Sequence, residues 1–237
     1  MKVAVLFDGA GLARLGLERA GLDCTGFEIN KYAHWMSQRV GSGKSVLCDA
    51  TTVDLSEFDA VWASPPCQLQ SVARTTGAPT ALGTDYLEWC LQLPHNVLWV
   101  ENVVPSKPPY FGKIYNAAQF LETPIQNRNR IIGGRFPEPN VYHKYKRVFP
   151  NVSPAVLATE YKGYPGDTRR ASRFKKRKLT LNECAELQGF RIPGEWYLPP
   201  FPMSSGKWEI EMYRAIGNGV PVYMARAFGE AVVLETL

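Results

Sequence analysis

Five stretches in the N-terminal half of the chain read as short strands, and each runs straight into polar residues. Val3–Phe7 meets Asp8-Gly9-Ala10-Gly11, and Cys24–Phe27 meets Glu28-Ile29-Asn30. Ser45–Cys48 meets Asp49, Phe58–Ser64 meets Pro65-Pro66-Cys67, and Asn96–Val100 meets Glu101-Asn102-Val103. Between them the apolar spacing is helical, as in Leu12, Leu15, Leu17 and Ala20 before Gly21, in Tyr32–Val40 and in Leu82–Leu93. Lys113–Leu121 reads as a further helix and Arg130–Gly133 as a further strand. Strand and helix in alternation specify an α/β, doubly wound sheet. Such sheets gather their chemistry at the carboxyl edge of the strands, which is where the polar residues fall.

Cys67 is the sharpest of these edge residues. Two prolines stop the strand before it, and a polar, glycine-bearing loop, Leu69 to Gly83, follows. A thiol placed this way is a candidate nucleophile, although a lone cysteine at a strand end is more often a small buried hydrophobe. Strand, glycine turn and helix at the N-terminus make a nucleotide-binding opening, where the backbone can approach a ligand beside a helix N-terminus. The third glycine of a dinucleotide fingerprint would fall at Arg14, so that motif is not met. Glu28, an acid at the end of the second strand, is placed for a ribose diol.

The chain has 237 residues and a net charge of +5, enough length for one large domain with a smaller partner. Its five cysteines form no C-x-x-C pair, which points to a reducing compartment and away from a disulfide framework or a metal site. No apolar run is long enough to span a bilayer, and the N-terminus does not read as a secretory signal. Positive charge is concentrated. Residues 169 to 178 hold seven basic residues in ten, among them Arg169, Arg170, Arg173, Lys175, Lys176 and Arg177. A second group, His143-Lys144-Tyr145-Lys146-Arg147, interleaves tyrosine with lysine. Both fit a phosphate-backbone footprint, and the first fits a solvated basic loop equally well.

From Phe136 the alternation gives way to prolines, scattered aromatics and basic residues. A smaller, irregular domain is therefore expected at 136–206, with the large domain discontinuous at 1–135 and 207–237. Thr180 with Glu183 three residues on forms a capping box that opens a helix. Lys207–Ile216 reads as a helix stopped by Gly217-Asn218-Gly219, and Val222–Leu234 as a final amphipathic helix behind Pro221.

Taken in order, these blocks resemble the S-adenosylmethionine-dependent cytosine-C5 DNA methyltransferases. The matching residues are Phe7-x-Gly9-x-Gly11, Glu28-x-Asn30, Asp49, Ser64-Pro65-Pro66-Cys67-Gln68, Glu101-Asn102-Val103 and Gln126-x-Arg128-x-Arg130. Arg177-x-Leu179-Thr180-x-x-Glu183 running to Gln188-Gly189-Phe190, and Gly217-Asn218-Gly219-Val220-Pro221, complete the set. The resemblance implies a Rossmann-like, class I methyltransferase fold. It implies that Cys67 adds as a thiolate to C6 of cytosine, which makes C5 enamine-like. Glu101 would hold N3 and the exocyclic amine as a proton-sharing acid, Arg130 the base carbonyl, and Arg128 would lie near the thiol. On the cofactor side, the resemblance has Phe7, Gly9 and Gly11 lining S-adenosylmethionine. Glu28 takes its ribose, Asp49 its adenine amine, and Ile29, Pro66, Asn218 and Val220 the remaining walls.

The resemblance also implies double-stranded DNA as partner and a cytosine flipped out of the helix. Gln68, Ser71 and Arg74 on the loop after Cys67, with Lys144, Lys146 and the 169–177 cluster, would meet the nucleic acid. A monomer without metal or membrane is expected, cytoplasmic and in a bacterial, phage or mobile-element setting. Three departures stand out. Gln70 replaces a phenylalanine usual in the family, Val5 replaces its acid in the first block, and Ile29 stands where an aromatic often covers the adenine. Only 46 residues, 131–176, separate Arg130 from Arg177, which predicts a short recognition sequence and affinity resting on phosphate contacts. An RNA cytosine methyltransferase and an inactive DNA-binding relative are the competing readings.

Overall fold

The computed structural model describes residues 1–66, 82–162, 179–198 and 201–235. The N-terminal half runs β1 (Lys2–Leu6), α1 (Leu12–Arg19), β2 (Asp23–Glu28), α2 (Lys31–Ser37), β3 (Ser45–Leu47), β4 (Ala60–Ala63), α3 (Leu82–Leu91) and β5 (Val97–Val103). Then follow β6 (Lys113–Asn116), β7 (Gln126–Asn127), β8 (Asn129–Arg135), β9 (Ser153–Pro154), α4 (Leu181–Leu187), α5 (Ser205–Asn218) and α6 (Val222–Glu235). Seven strands form one sheet in the order β3-β2-β1-β4-β5-β8-β6. The first five are parallel. β8 then enters antiparallel between β5 and β6. This is the doubly wound sheet that the strand-end pattern foretold, in the class I methyltransferase arrangement that the resemblance implied.

Strand alternation sends side chains to two cores. Val3, Val5, Trp62 and Trp99 pack with Leu17 of α1 and Phe228 of α6 on one face. Ala4, Leu6, Val61, Leu98 and Val100 pack with Leu87 and Cys90 of α3 on the other. Burial on both faces explains why β1 and β4 are apolar runs rather than alternating ones. A third core joins Ala10, Leu12 and Met36 to Val156, Leu179, Cys184, Trp196 and Trp208. The Trp196 indole N–H donates to the Met36 carbonyl at 3.1 Å, so the irregular part of the chain is packed onto the first two helices.

Two expectations need correction. Lys113–Leu121 is not a helix. Lys113–Asn116 pairs with Ile132–Asn129, and a 3-10 turn, Ala117–Phe120, follows it. The buried Asn116 side chain makes the break, because it caps that turn while Gln119 reaches back to the Asn116 N–H. Long-range pairing overrides local spacing here. α5 likewise does not stop before Gly217. A Cβ on Gly217 would sit 2.3 Å from the backbone of Leu157 and Ala158, so its glycine serves close approach of two chain segments rather than helix termination.

Candidate active site

β5 was expected to end before Glu101, but it continues through Val103 because β8 pairs with it there. Glu101 lies opposite Ile132, and Val103 opposite Arg130. The two-residue strand period therefore puts Glu101 and Arg130 on one face, diagonally adjacent. Arg130 Nε meets Glu101 Oε1 at 2.7 Å, with side-chain exposures of 11% and 6%. The arginine also donates from Nη1 to the Asn129 carbonyl at 2.9 Å. Next in the strand, the Asn102 side-chain amide donates to the Pro65 carbonyl at 3.1 Å. That bond ties the exit of β4, two residues before Cys67, to the strand that carries Glu101. Cys67 itself, with Gln68, Ser71 and Arg74, lies outside the described residues.

Arg128 is 1% exposed. Its Nη1 donates to the Val156 carbonyl at 2.5 Å and its Nη2 to the carbonyls of Gly217 and Gly219 at 2.6 and 2.9 Å. Gln188 donates to Ile216 and Gly219 carbonyls from the other side, and Gln126 donates to the Leu187 carbonyl. Arg128 and Gln188 fix the turn between α5 and α6, and Gln126 braces Gln188. That turn presents exposed Asn218 and buried Val220 beside α1.

On the parallel side of the same edge, Phe7, Gly9 and Gly11 all take positive φ (57°, 59° and 82°). Glu28 organises this loop from the end of β2. Its Oε2 accepts the Gly9 N–H and its Oε1 the Asn30 N–H, both at 2.7 Å. Asp49, at the end of β3, accepts from the Thr51 N–H and hydroxyl, which hold its carboxyl below the ordinary aspartate range. Ile29 is 68% exposed between these acids. Pro66 is exposed and Pro65 buried. The structure thus brings Phe7, Gly9, Gly11, Glu28, Ile29 and Asp49 together at the ends of three neighbouring strands.

Sequence reasoning missed what lies behind the loop. Arg14, noted only as a misplaced glycine, is fully buried. It meets Asp8 at 3.3 Å and Glu18 at 2.8 Å. It also donates to the carbonyls of Ser37 and Val40 at 2.6 and 3.0 Å. Ser37 donates its hydroxyl to Asp8. Burial pushes the Asp8 carboxyl up to about 6, against the pull of Arg14 and of the Ser37 hydrogen bond. An arginine inside the apolar run Leu12-Ala13-Arg14-Leu15-Gly16-Leu17, six residues after an acid, was the available signal.

Among the described cysteines, burial pushes Cys24 and Cys90 up to about 12, which leaves neither thiol an effective nucleophile at neutral pH. Lys144 and Lys146 are exposed. Arg169, Arg170, Arg173, Lys175, Lys176 and Arg177 lie outside the described residues. Among the described residues no cluster of His, Cys, Asp and Glu is arranged to hold a metal ion. No described helix is long and apolar enough to cross a membrane.

The family model for C-5 cytosine-specific DNA methylase matches residues 1–104 and 113–233. The chain belongs to this family. A comparison with curated proteins gives no match. Among solved structures, the S. pombe Dnmt2 methyltransferase is similar at 16% identity and a TM-score of 0.64, over 100% of this chain and 99% of that one. The Entamoeba histolytica methyltransferase EhMeth is similar at 12% identity and 0.64, again over 100% and 99%. A protein described as a putative DNA modification methyltransferase encoded within an E. coli prophage is similar at 15% identity and 0.63, over 99% of both chains. At such identities the likeness concerns the fold, and the methylase family membership rests on the family match.

Proposed function

We propose that the chain is an S-adenosylmethionine-dependent DNA cytosine-5 methyltransferase with a short recognition sequence. The observation that carries this reading is the Glu101–Arg130 pair, almost wholly enclosed at the sheet edge. Beside it the Asn102–Pro65 bond anchors the approach to Cys67, and the glycine loop occupies the same edge.

The loop residues fit the cofactor. A Cβ built on Gly9 meets nothing within 4 Å, so open space faces the loop. Each Glu28 oxygen accepts one backbone N–H and keeps a lone pair for a ribose hydroxyl. Asp49 Oδ1 is taken up by Thr51, and its second oxygen remains for the adenine amine. Phe7, Gly11, Ile29, Pro66, Asn218 and Val220 complete the walls. When bound, S-adenosylmethionine supplies an electrophilic methyl group.

The protein's part is to make C5 of cytosine accept that group. The Cys67 thiolate adds to C6, and the electron pair moves into the ring to leave C5 enamine-like. Glu101 binds N3 and the exocyclic amine through a shared proton. Arg130 keeps Nε on Glu101 and has Nη2 uncommitted among the described residues, which suits the base carbonyl oxygen. After methylation the C5 proton leaves to a base, and elimination releases the thiolate. Arg128 acts by positioning, since its carbonyl bonds hold the turn that carries Asn218 and Val220.

Residues 136–206 form the target-recognition part in this reading, set against a catalytic part at 1–135 and 207–237. Lys144, Lys146 and the 169–177 cluster engage phosphates, and Gln68, Ser71 and Arg74 follow the flipped base. So short an insert suits a site of about two base pairs. The deciding experiment is trapping with a duplex that carries 5-fluorocytosine in varied contexts, with S-adenosylmethionine present. A fluorine at C5 blocks the elimination, so wild type should form a denaturation-resistant adduct that Cys67→Ala does not. An adduct on matched RNA alone reassigns the substrate, and no adduct on either polymer overturns the reading.

A further inference from the structure

The segment 141–148 has a construction that phosphate binding alone does not explain. Its backbone is held by amide side chains from the sheet. Asn116 donates to the carbonyls of Lys146 and Arg147 at 3.0 and 3.3 Å, and Asn129 donates to Arg147 at 3.0 Å. Gln119 donates to the His143 carbonyl at 3.2 Å, and the Tyr142 N–H returns a bond to the Gln119 carbonyl at 2.9 Å. At the far end Asn127 accepts the Phe149 N–H at 2.7 Å and donates to the Phe149 carbonyl at 2.9 Å.

These anchors also fix where the segment lies. Asn116 pairs with Asn129, and Tyr115 with Arg130, at the end of the sheet that carries Glu101. The segment is therefore a ridge at the end of β6 and β8, anchored one residue along from Arg130 by side chains that leave the opposite face of the sheet.

With its backbone satisfied from below, the ridge turns its side chains outward. Tyr142 is 67% exposed and Tyr145 45%. Neither hydroxyl has a hydrogen-bond partner among the described residues. Lys144, Lys146 and Arg147 are exposed between and after them, and no acidic residue occurs between Glu138 and Glu160. Cations alone would serve a duplex backbone. Bare aromatic rings between cations serve nucleotides whose base faces are open, because rings stack on bases while lysines follow the phosphates.

We infer that this ridge is a stacking platform for unpaired DNA nucleotides next to the target cytosine. The inference rests on the nucleic-acid reading above and deepens it. Eversion of a cytosine unstacks its neighbours, and the ridge would hold those bases open. A target already unpaired, as in a bubble or a single strand, is then the favoured substrate.

The test is fluorescence anisotropy with one sequence in four forms, namely matched duplex, duplex with a three-nucleotide bubble, single-stranded DNA and single-stranded RNA. Wild type should bind the bubble and single-stranded DNA more tightly than the matched duplex. Tyr142→Ala/Tyr145→Ala should weaken bubble and single-strand binding by about 10-fold or more and change duplex binding by about 2-fold or less. Tyr142→Phe/Tyr145→Phe should keep wild-type affinity, since a ring suffices for stacking. Lys144→Ala/Lys146→Ala should weaken all four forms and flatten the salt dependence.

The platform is overturned if the alanine pair binds the bubble as wild type does, loses equally on every form, or if RNA is the form preferred. It is also overturned if the phenylalanine pair fails like the alanine pair. Methyl transfer is measured in parallel on the same strands. Ring-dependent DNA binding without methyl transfer would sink the enzyme and leave the platform, and methyl transfer without ring dependence would do the reverse.

Discussion

Two ion pairs stand at or behind the same sheet edge, and they are held in opposite ways. Asp8–Arg14 has no side-chain exposure at either partner, while Glu101–Arg130 keeps 6% and 11%. The first is assembled from residues 8 to 42, by a loop, a helix and the chain that follows them. The second needs an antiparallel strand to return from residue 130 and lie against β5. A pair with no access to solvent cannot touch a substrate, so its energy goes into fixing the glycine loop. A pair that keeps a small opening to solvent can exchange a partner for a base, as the proposed reaction requires. Loss of the buried pair should therefore cost stability, and loss of the open pair should cost turnover.

The sharpest separation comes from Glu101→Gln. In the proposed mechanism it removes the carboxyl's contact with the base, while it keeps the shape of the side chain. Turnover should fall by about 10²–10⁴-fold, with the urea midpoint nearly unchanged. Kinetics and urea unfolding on the same preparation check both halves. A large loss of stability would place Glu101 with the scaffold and end the distinction.

Arg14→Met should do the opposite. It leaves Asp8 buried without its counter-charge and strips the Ser37 and Val40 carbonyls of a donor. A destabilisation of about 3–5 kcal/mol is expected in urea. Asp8→Asn combined with Arg14→Met should recover part of it, because position 8 then carries no stranded charge, although Glu18 still loses its partner. Failure of the double variant to recover anything would show that Arg14 acts through its carbonyl contacts alone.

The pH dependence of stability sharpens the same point. Asp8 is raised to about 6 from an ordinary value near 3.8, so the folded protein binds this proton more tightly than the unfolded chain does. Its contribution to stability is full below the ordinary value, falls as pH rises towards 6, and is constant above. Across that window the stability of wild type minus that of Asp8→Asn should fall by about 1–3 kcal/mol as pH rises. A difference that is flat from pH 4 to 7 would mean that Asp8 stays ionised throughout.

What could be read in advance divides along the same line. The parallel half was legible because each strand ends in its own polar residues, from Asp8-Gly9 to Asp49, and needs only neighbours in sequence. Glu101 and Arg130 were legible as chemistry but not as a pair, since register across an antiparallel strand does not appear in local spacing. Lys113–Leu121 was misread for that reason, as its pairing partner lies 13 residues on at the nearest, Asn129 with Asn116. Arg14 was passed over because a missing glycine says nothing of what its replacement does. Asp8 and Ser37 are 29 residues apart, and only the fold brings them together.

The smallest effect concerns the open side of the cofactor edge. Ile29 is 68% exposed next to Glu28, where the proposed reading has an adenine face that an aromatic ring would cover. A β-branched side chain offers edge contact but no stacking plane. Ile29→Phe should therefore tighten S-adenosylmethionine binding by about 2–10-fold, the range that one aromatic contact supplies. Calorimetry with the cofactor measures it, and the Glu101-dependent step should not change once cofactor is saturating. Because the loop is already locked by Arg14 and Glu28, the gain should come without a change in urea midpoint. A gain in stability in place of affinity would mean that the ring packs onto the protein rather than onto the ligand, and the wall at Ile29 would then belong to the scaffold.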